Sequence, residues 1–235
     1  MTDPGSVAKL RENIGVDVDI LINNSEVHGT YGIAAPSGVA GAQAEMDVNY
    51  FGLLRLAQEF GPAMCSRTSG GSMSLRGWIN VLSIYALANF PAHGTFSASK
   101  AAAHSLAQCL RSEMHANGVR VVNVFPGPID CAQNEQLPTP KLAPAALAKA
   151  ILVALNDGVE DAYPGDVAQY WLAGGVKTQK YSNVSWPQTV SPEQFAMDSP
   201  RSGAKESLGA TRHADRISSE RAISSPAFPR PASST

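Results

Sequence analysis

Three short apolar runs, separated by long helical segments, restrict this chain more than any other feature. VDILI at 18–22, WINVL at 78–82 and VRVVNVF at 119–125 are each shorter than an ordinary helix and rich in β-branched side chains. Near-continuous apolar runs suit strands covered on both faces, as parallel strands are. Asn23-Asn24 closes the first run and Pro126-Gly127-Pro128 the third. Helical patterns cover 39–65, with Met46, Tyr50, Leu53, Leu54 and Ala57 among the apolar positions, and 96–116. A last helix near 144–155 leads to an extended piece at Ala162-Tyr163. Thr2-Asp3-Pro4 marks a helix start, a capping residue ahead of Pro, and the helix runs to about Asn13, where Ile14-Gly15 ends it. Strands alternating with helices of this length imply βαβ units, hence an α/β fold with a parallel sheet. Ligands in such sheets bind beyond the carboxyl ends of the strands, which points to Asn23-Asn24, Ser83 and residues 126–131.

Of the 235 residues, 44% are hydrophobic, enough for a core, and the net charge of -2 offers nothing to attract nucleic acid or an anionic membrane. No apolar run approaches the roughly 20 residues of a membrane span, and Met-Thr-Asp-Pro is not the start of a signal peptide. Cys65, Cys109 and Cys131 are odd in number and widely spaced, unlike a disulfide framework or a zinc cluster, so the expectation is a reduced, cytoplasmic protein. Composition changes near residue 187, after which the chain is rich in Ser, Pro, Arg and Ala without periodicity. The division expected is an ordered part at 1–175 and a low-complexity, disordered tail at 176–235.

Ser83 closes the strand WINVL; Phe96 follows thirteen residues later and Lys100 four after that, in FSASK. The last two lie one helical turn apart and face the serine at the strand end. Here the chain resembles the short-chain dehydrogenase/reductase family, which carries Ser-x12-Tyr-x3-Lys at this place. Further matches are NNSE at 23–26 against Asn-Asn-Ala-Gly, Asn49 in MDVNYFG against the Asn of the catalytic tetrad, and PGPID at 126–130 against the Pro-Gly turn beside the nicotinamide. Together they cover roughly residues 2–170. The resemblance implies a Rossmann-like, doubly wound sheet and hydride transfer between NAD or NADP and an alcohol or carbonyl carbon. It assigns Ser83 to positioning the substrate oxygen, Lys100 to lowering the acid's pKa and holding the nicotinamide ribose, and Asn49 to a proton-relaying water. Asn23, Asn24, Lys100, Pro126, Gly127 and Ile129 fall at cofactor-binding positions. It also implies a homo- or hetero-oligomer through the two long helices.

The departures from that pattern are specific. Phe96 stands at the Tyr position and has no ionisable proton; Tyr85 and His93 are the nearby substitutes, Tyr85 at a place that more often walls the substrate pocket. The strand, Gly-rich turn and helix with which the family begins have no counterpart, so the sheet is expected to be incomplete, and NAD cannot be told from NADP. Gly38 and Gly41, or Gly70 and Gly71, read as loops. Glu26 puts a carboxylate where the family has Gly, and Cys131 stands where a Thr is common. VDILI then becomes an exposed apolar edge, leaving the isolated chain poorly stable unless another chain covers it. His28, His104, His115 and His213 show no metal spacing and read as solvated or packed. The expected function is therefore an NAD(P)-dependent oxidoreductase by resemblance, impaired in catalysis. The alternatives are a non-catalytic subunit beside a complete paralogue, or a truncated gene product.

Overall fold

A computed structural model describes residues 1–14, 17–29, 33–34, 38–67, 75–135, 137 and 140–175. The tail at 176–235, His213, Gly70 and Gly71 lie outside the described residues. The chain begins with α1 (Pro4–Ile14), whose start is capped by Asp3: its carboxylate accepts from the Gly5 and Ser6 amides at 3.0 and 3.2 Å. There follow β1 (Ile20–Asn23), α2 (Gly38–Met46), α3 (Gly52–Ser66), β2 (Gly77–Val81), α4 (Gly94–His115), β3 (Arg120–Val124), α5 (Pro144–Asp157), β4 (Asp161–Ala162) and α6 (Asp166–Tyr170). Gly38 opens α2 and Gly41 lies inside it, so neither is a loop glycine. α2 and α3 are joined by a π-helical turn, Asp47–Phe51, and make one long element. Pro144 starts α5 without needing an amide partner, and Gly158, at φ 72°, ends it in the left-handed region.

The four strands pair in the order β1-β2-β3-β4, all parallel. Each strand's alternate residues feed opposite layers. Trp78 and Val121, with Leu21 beside them, pack against Leu53, Leu56, Phe60 and Met64 of α3 and Ala103, Ala107 and Leu110 of α4. Ile79, Val81, Val122 and Val124 pack against Leu147, Ile151, Ala154 and Leu155 of α5 on the other face. On β1, Ile20 and Ile22 stay 43% and 51% exposed.

One row of the sheet is polar. Asn23, Asn80, Asn123 and Asp161 stand side by side in register across all four strands. Trp78 Nε1 donates to Asn80 Oδ1 at 2.9 Å, Asn80 Nδ2 to Asn123 Oδ1 at 3.0 Å and Asn123 Nδ2 to Asp161 Oδ1 at 3.4 Å, with Arg111 bonded to the same Asp161 oxygen. At the β1 end, Asn23 Oδ1 is buried with no hydrogen-bond partner among the described residues. Among the described residues no helix is long and apolar enough to cross a membrane.

Candidate functional site

The strand ends and the start of α4 bring the sequence motifs together. Ser83 follows β2 in extended conformation and caps the short 3-10 turn Ile84–Ala86, its Oγ accepting from the Tyr85 amide at 3.2 Å. The amide of Ile84 donates to the Pro126 carbonyl at 3.0 Å, which ties the exit of β2 to the Pro-Gly turn after β3. Phe96 lies in the first turn of α4, buried, and Lys100 one turn further on with its Nζ 5.5 Å from the Phe96 ring centroid. A cation over the face of an aromatic ring is weakly stabilised by the ring quadrupole.

The loop after β1 is folded down onto these residues. Glu26 Oε2 sits 2.7 Å from Lys100 Nζ; the lysine side chain is 2% exposed and the glutamate 44%. The other partner of the ammonium is the Val81 carbonyl, at 3.5 Å. Asn49, in the π-helical turn, grips the next residue twice: its Oδ1 accepts from Val27 N at 3.0 Å and its Nδ2 donates to Val27 O at 2.9 Å, with a further bond to Ser99 Oγ at 2.9 Å. π-Helical turns often mark functional positions in helices. His28 stacks on Phe96, ring centroids 4.2 Å apart, and its Nε2 pairs with His93 Nδ1 at 2.8 Å. The Gly29 amide donates to the wholly buried Glu45 at 3.2 Å. Tyr85 stacks on both Phe90 and His93, closing the aromatic cluster.

Burial moves the titrating groups of this cluster. His93 is held down at about 4, first by desolvation and then by the neighbouring His28 imidazole, against a raising pull from Glu45. Burial also lowers His28, opposed by Glu26 and Glu45, and raises the Tyr85 phenol. The two imidazoles therefore favour their neutral forms near pH 7 and Tyr85 keeps its proton.

The cofactor positions divide. Asn23 belongs to the buried polar row, a structural place, while Asn24 is exposed. Gly127 is required by close packing: a Cβ there would stand 2.7 Å from Val167 Cβ. Ile129 pairs with Leu142 in a short parallel bridge that closes the segment leading off β3. Beside these residues is a cavity of about 150 Å³ lined by Gly127, Pro128, Leu142, Pro164 and Val167, smaller than the roughly 300 Å³ at which ligand pockets begin. Cys131 is exposed. Among the described residues no group of three potential metal ligands occurs.

Sequence reasoning placed Asn49, Ser83, Phe96 and Lys100 in this region, and the fold brings Phe96 and Lys100 to one helix face and Asn49 to the loop in front of it. It missed the pairing of His28 with His93 and the role of Glu45. It singled out Glu26 through the family's Gly, with no signal that the carboxylate reaches Lys100.

Comparisons with known proteins agree with this architecture. The short chain dehydrogenase family matches residues 5–141, more than half of the chain. An uncharacterized oxidoreductase of Staphylococcus saprophyticus is 32% identical over 153 residues, 64% of this chain and 62% of that protein. Dehydrogenase/reductase SDR family member 7B of Mus musculus is 31% identical over 131 residues, 54% of this chain and 38% of that protein. This chain thus spans less than two thirds of the curated relatives it matches. A short chain dehydrogenase of Burkholderia cenocepacia, solved in complex with NADP, superposes with a TM-score of 0.68 at 35% identity, covering 77% of this chain and 72% of that one. A parallel sheet of the right order, the serine at a strand end with its lysine on the following helix, and a sequence match over more than half of the chain have one common explanation: this chain belongs to the short-chain dehydrogenase family.

Proposed function

We propose that this chain is an oxidoreductase of that family by descent whose own site does not carry out NAD(P)-dependent alcohol or carbonyl chemistry. The observation that carries the reading is the state of the two residues central to proton transfer. Phe96 offers no proton at the acid–base position, and the Lys100 ammonium is engaged by Glu26 at 2.7 Å. A positioned acid or base contributes on the order of 10²–10⁴-fold in rate, so its loss alone is large. The Burkholderia relative binds NADP, and a nicotinamide cofactor is what a complete member of the family uses for hydride transfer. The residues of this chain fit such a group poorly: the ammonium expected to hold its ribose is buried against a carboxylate, and that carboxylate lies where phosphate-bearing ligands would be repelled. Ser83 Oγ accepts from Tyr85 N, its one hydrogen bond among the described residues, and Asn49 is committed to the loop backbone.

A second reading, a non-catalytic subunit in the cytoplasm that pairs with itself or with a complete paralogue, is favoured by the outer side of the long helices. Val39 of α2 and Phe51 of the π-helical turn stay 73% and 44% exposed, side chains an oligomer would cover. Calorimetric titration of the purified chain with NADH and NADPH, with turnover followed on a panel of small ketones and alcohols, tests the first reading. The expected result is no binding below millimolar concentration and no turnover. Micromolar binding with turnover by the wild-type chain overturns it. Light scattering of the same sample tests the second, which a strict monomer that also fails to associate with a complete family member overturns.

A further inference from the structure

The loop between β1 and α2 is fastened at four successive residues: Glu26 to Lys100, Val27 to Asn49, His28 to Phe96 and His93, and Gly29 to Glu45. The pair at its head is asymmetric. Lys100 is almost wholly buried, and Glu26 is the half-exposed member, so the carboxylate stands between the ammonium and solvent. Among the described residues the ammonium's other hydrogen-bond partner, Val81 O at 3.5 Å, lies at the limit of a hydrogen bond. Glu26 is thus the principal counter-charge of a buried cation, which is strongly disfavoured without one. Its backbone has little freedom to withdraw, because the neighbouring Val27 is clamped on both its N–H and its C=O.

We propose that Glu26 is an internal ligand: its carboxylate occupies the subsite of the Lys100 ammonium and excludes the ribose hydroxyls of a nicotinamide nucleotide. Neutral hydroxyls can replace the carboxylate only by giving up an ion pair at 2.7 Å for weaker bonds. The displaced carboxylate stays tethered beside the site at high effective concentration and adds a like charge near a ligand that carries phosphate. The exclusion therefore has two sources, competition for the ammonium and repulsion of the ligand. It rests on the reading that this site does not use NAD(P), and names the residue that withholds the cofactor's grip at the nicotinamide end.

The test uses the full chain and nicotinamide mononucleotide, which carries the ribose and nicotinamide but does not need a pyrophosphate cradle. Affinity is measured by ligand-observed NMR titration for wild type, Glu26→Gly, Glu26→Gln and the double variant Glu26→Gly with Lys100→Met, folding being checked by circular dichroism. Glu26→Gly is expected to bind at least about tenfold more tightly than wild type, and Glu26→Gln severalfold, since it keeps the bulk and loses the charge. The double variant is expected to lose the gain. Equal affinity in wild type and Glu26→Gly, including no detectable binding by either, overturns the proposal. So does a gain that survives Lys100→Met, which would mean a loosened loop rather than a freed ammonium. Should Glu26→Gly not fold, an unchanged affinity in Glu26→Gln overturns it instead. Turnover of NADPH by the wild-type chain would overturn the functional reading whatever Glu26 does, so the two failures are distinct.

Discussion

Asn80→Leu replaces a fully buried amide by an apolar side chain of the same branching, in the middle of the polar row that crosses the sheet. Little volume changes, so the effect is almost wholly one of hydrogen bonding. Two partners are orphaned: Trp78 Nε1, which donates to Asn80 Oδ1, and Asn123 Oδ1, which accepts from Asn80 Nδ2. Each buried group left unpaired costs about 1–3 kcal/mol, so the single substitution is expected to destabilise by about 2–6 kcal/mol. Asn123→Leu orphans only Asn80 Nδ2, because Asp161 keeps Arg111, and should cost about 1–3 kcal/mol. Combining the two removes the Asn80–Asn123 contact from both sides and leaves only the indole donor unsatisfied. The double variant should then be about as unstable as one orphan makes it, about 1–3 kcal/mol, well short of the sum of the singles. Urea unfolding followed by tryptophan fluorescence and far-ultraviolet circular dichroism gives all four corners of the cycle. Additive losses would refute the reasoning, since they would mean the row is a set of independent contacts and not a connected network.

Three further outcomes follow from geometry described above. Because burial and the His28 ring hold His93 at about 4, the unfolded chain takes up its proton first, near 6.5, as pH falls. Stability present above pH 6.5 should therefore decline as pH falls towards 4, by about 1–2 kcal/mol once solvent screening of this half-buried ring is allowed for. His93→Phe should flatten that part of the profile relative to wild type, and an unchanged difference between pH 7 and 4.5 in urea titrations would contradict the assignment. Gly127→Ala drives a Cβ to 2.7 Å from the stiff, branched Val167 side chain, so it should cost about 1–3 kcal/mol in thermal or urea unfolding; a neutral effect would show that α6 yields freely. Ile22→Lys, at a half-exposed place on the edge strand, should change unfolding free energy by less than about 0.5 kcal/mol while lowering aggregation in light-scattering time courses; a large loss of stability would mean that the residue is covered in solution.

What could be read in the chain beforehand was what depends on neighbours in sequence. WINVL and VRVVNVF became β2 and β3 with ends shifted by one residue, because an apolar run followed by polar or turn residues is a local signal. The spacing from Ser83 to Phe96 and Lys100 was informative for the same reason: a strand end, a short turn and a helix start leave little choice of geometry. Asn80 and Asn123 went unremarked inside those apolar runs, since their partnership is set by register between strands that are far apart in sequence. The π-helical turn that aims Asn49 at Val27 has no composition signal of its own. Glu26 illustrates the limit best. Its type was noticed, but which cation it would find depends on how the loop after β1 folds back against α4.

The all-parallel pairing has a consequence for how the chain acquires its structure. None of the three strand pairs can form as a hairpin; each waits for an intervening helix to be made and brought across the sheet, Ile22 meeting Ile79 and Asn80 meeting Asn123 only then. Loop-closure entropy must be met before any of these contacts is gained, so folding should be slow for a domain of this size. Among the described residues β1 has one sheet neighbour, β2, and its exposed Ile20 and Ile22 add little to the core. It has the least to gain by joining early. On a growing polypeptide β1 emerges before β2, so a strand made earlier than its neighbour is left to be among the last to dock.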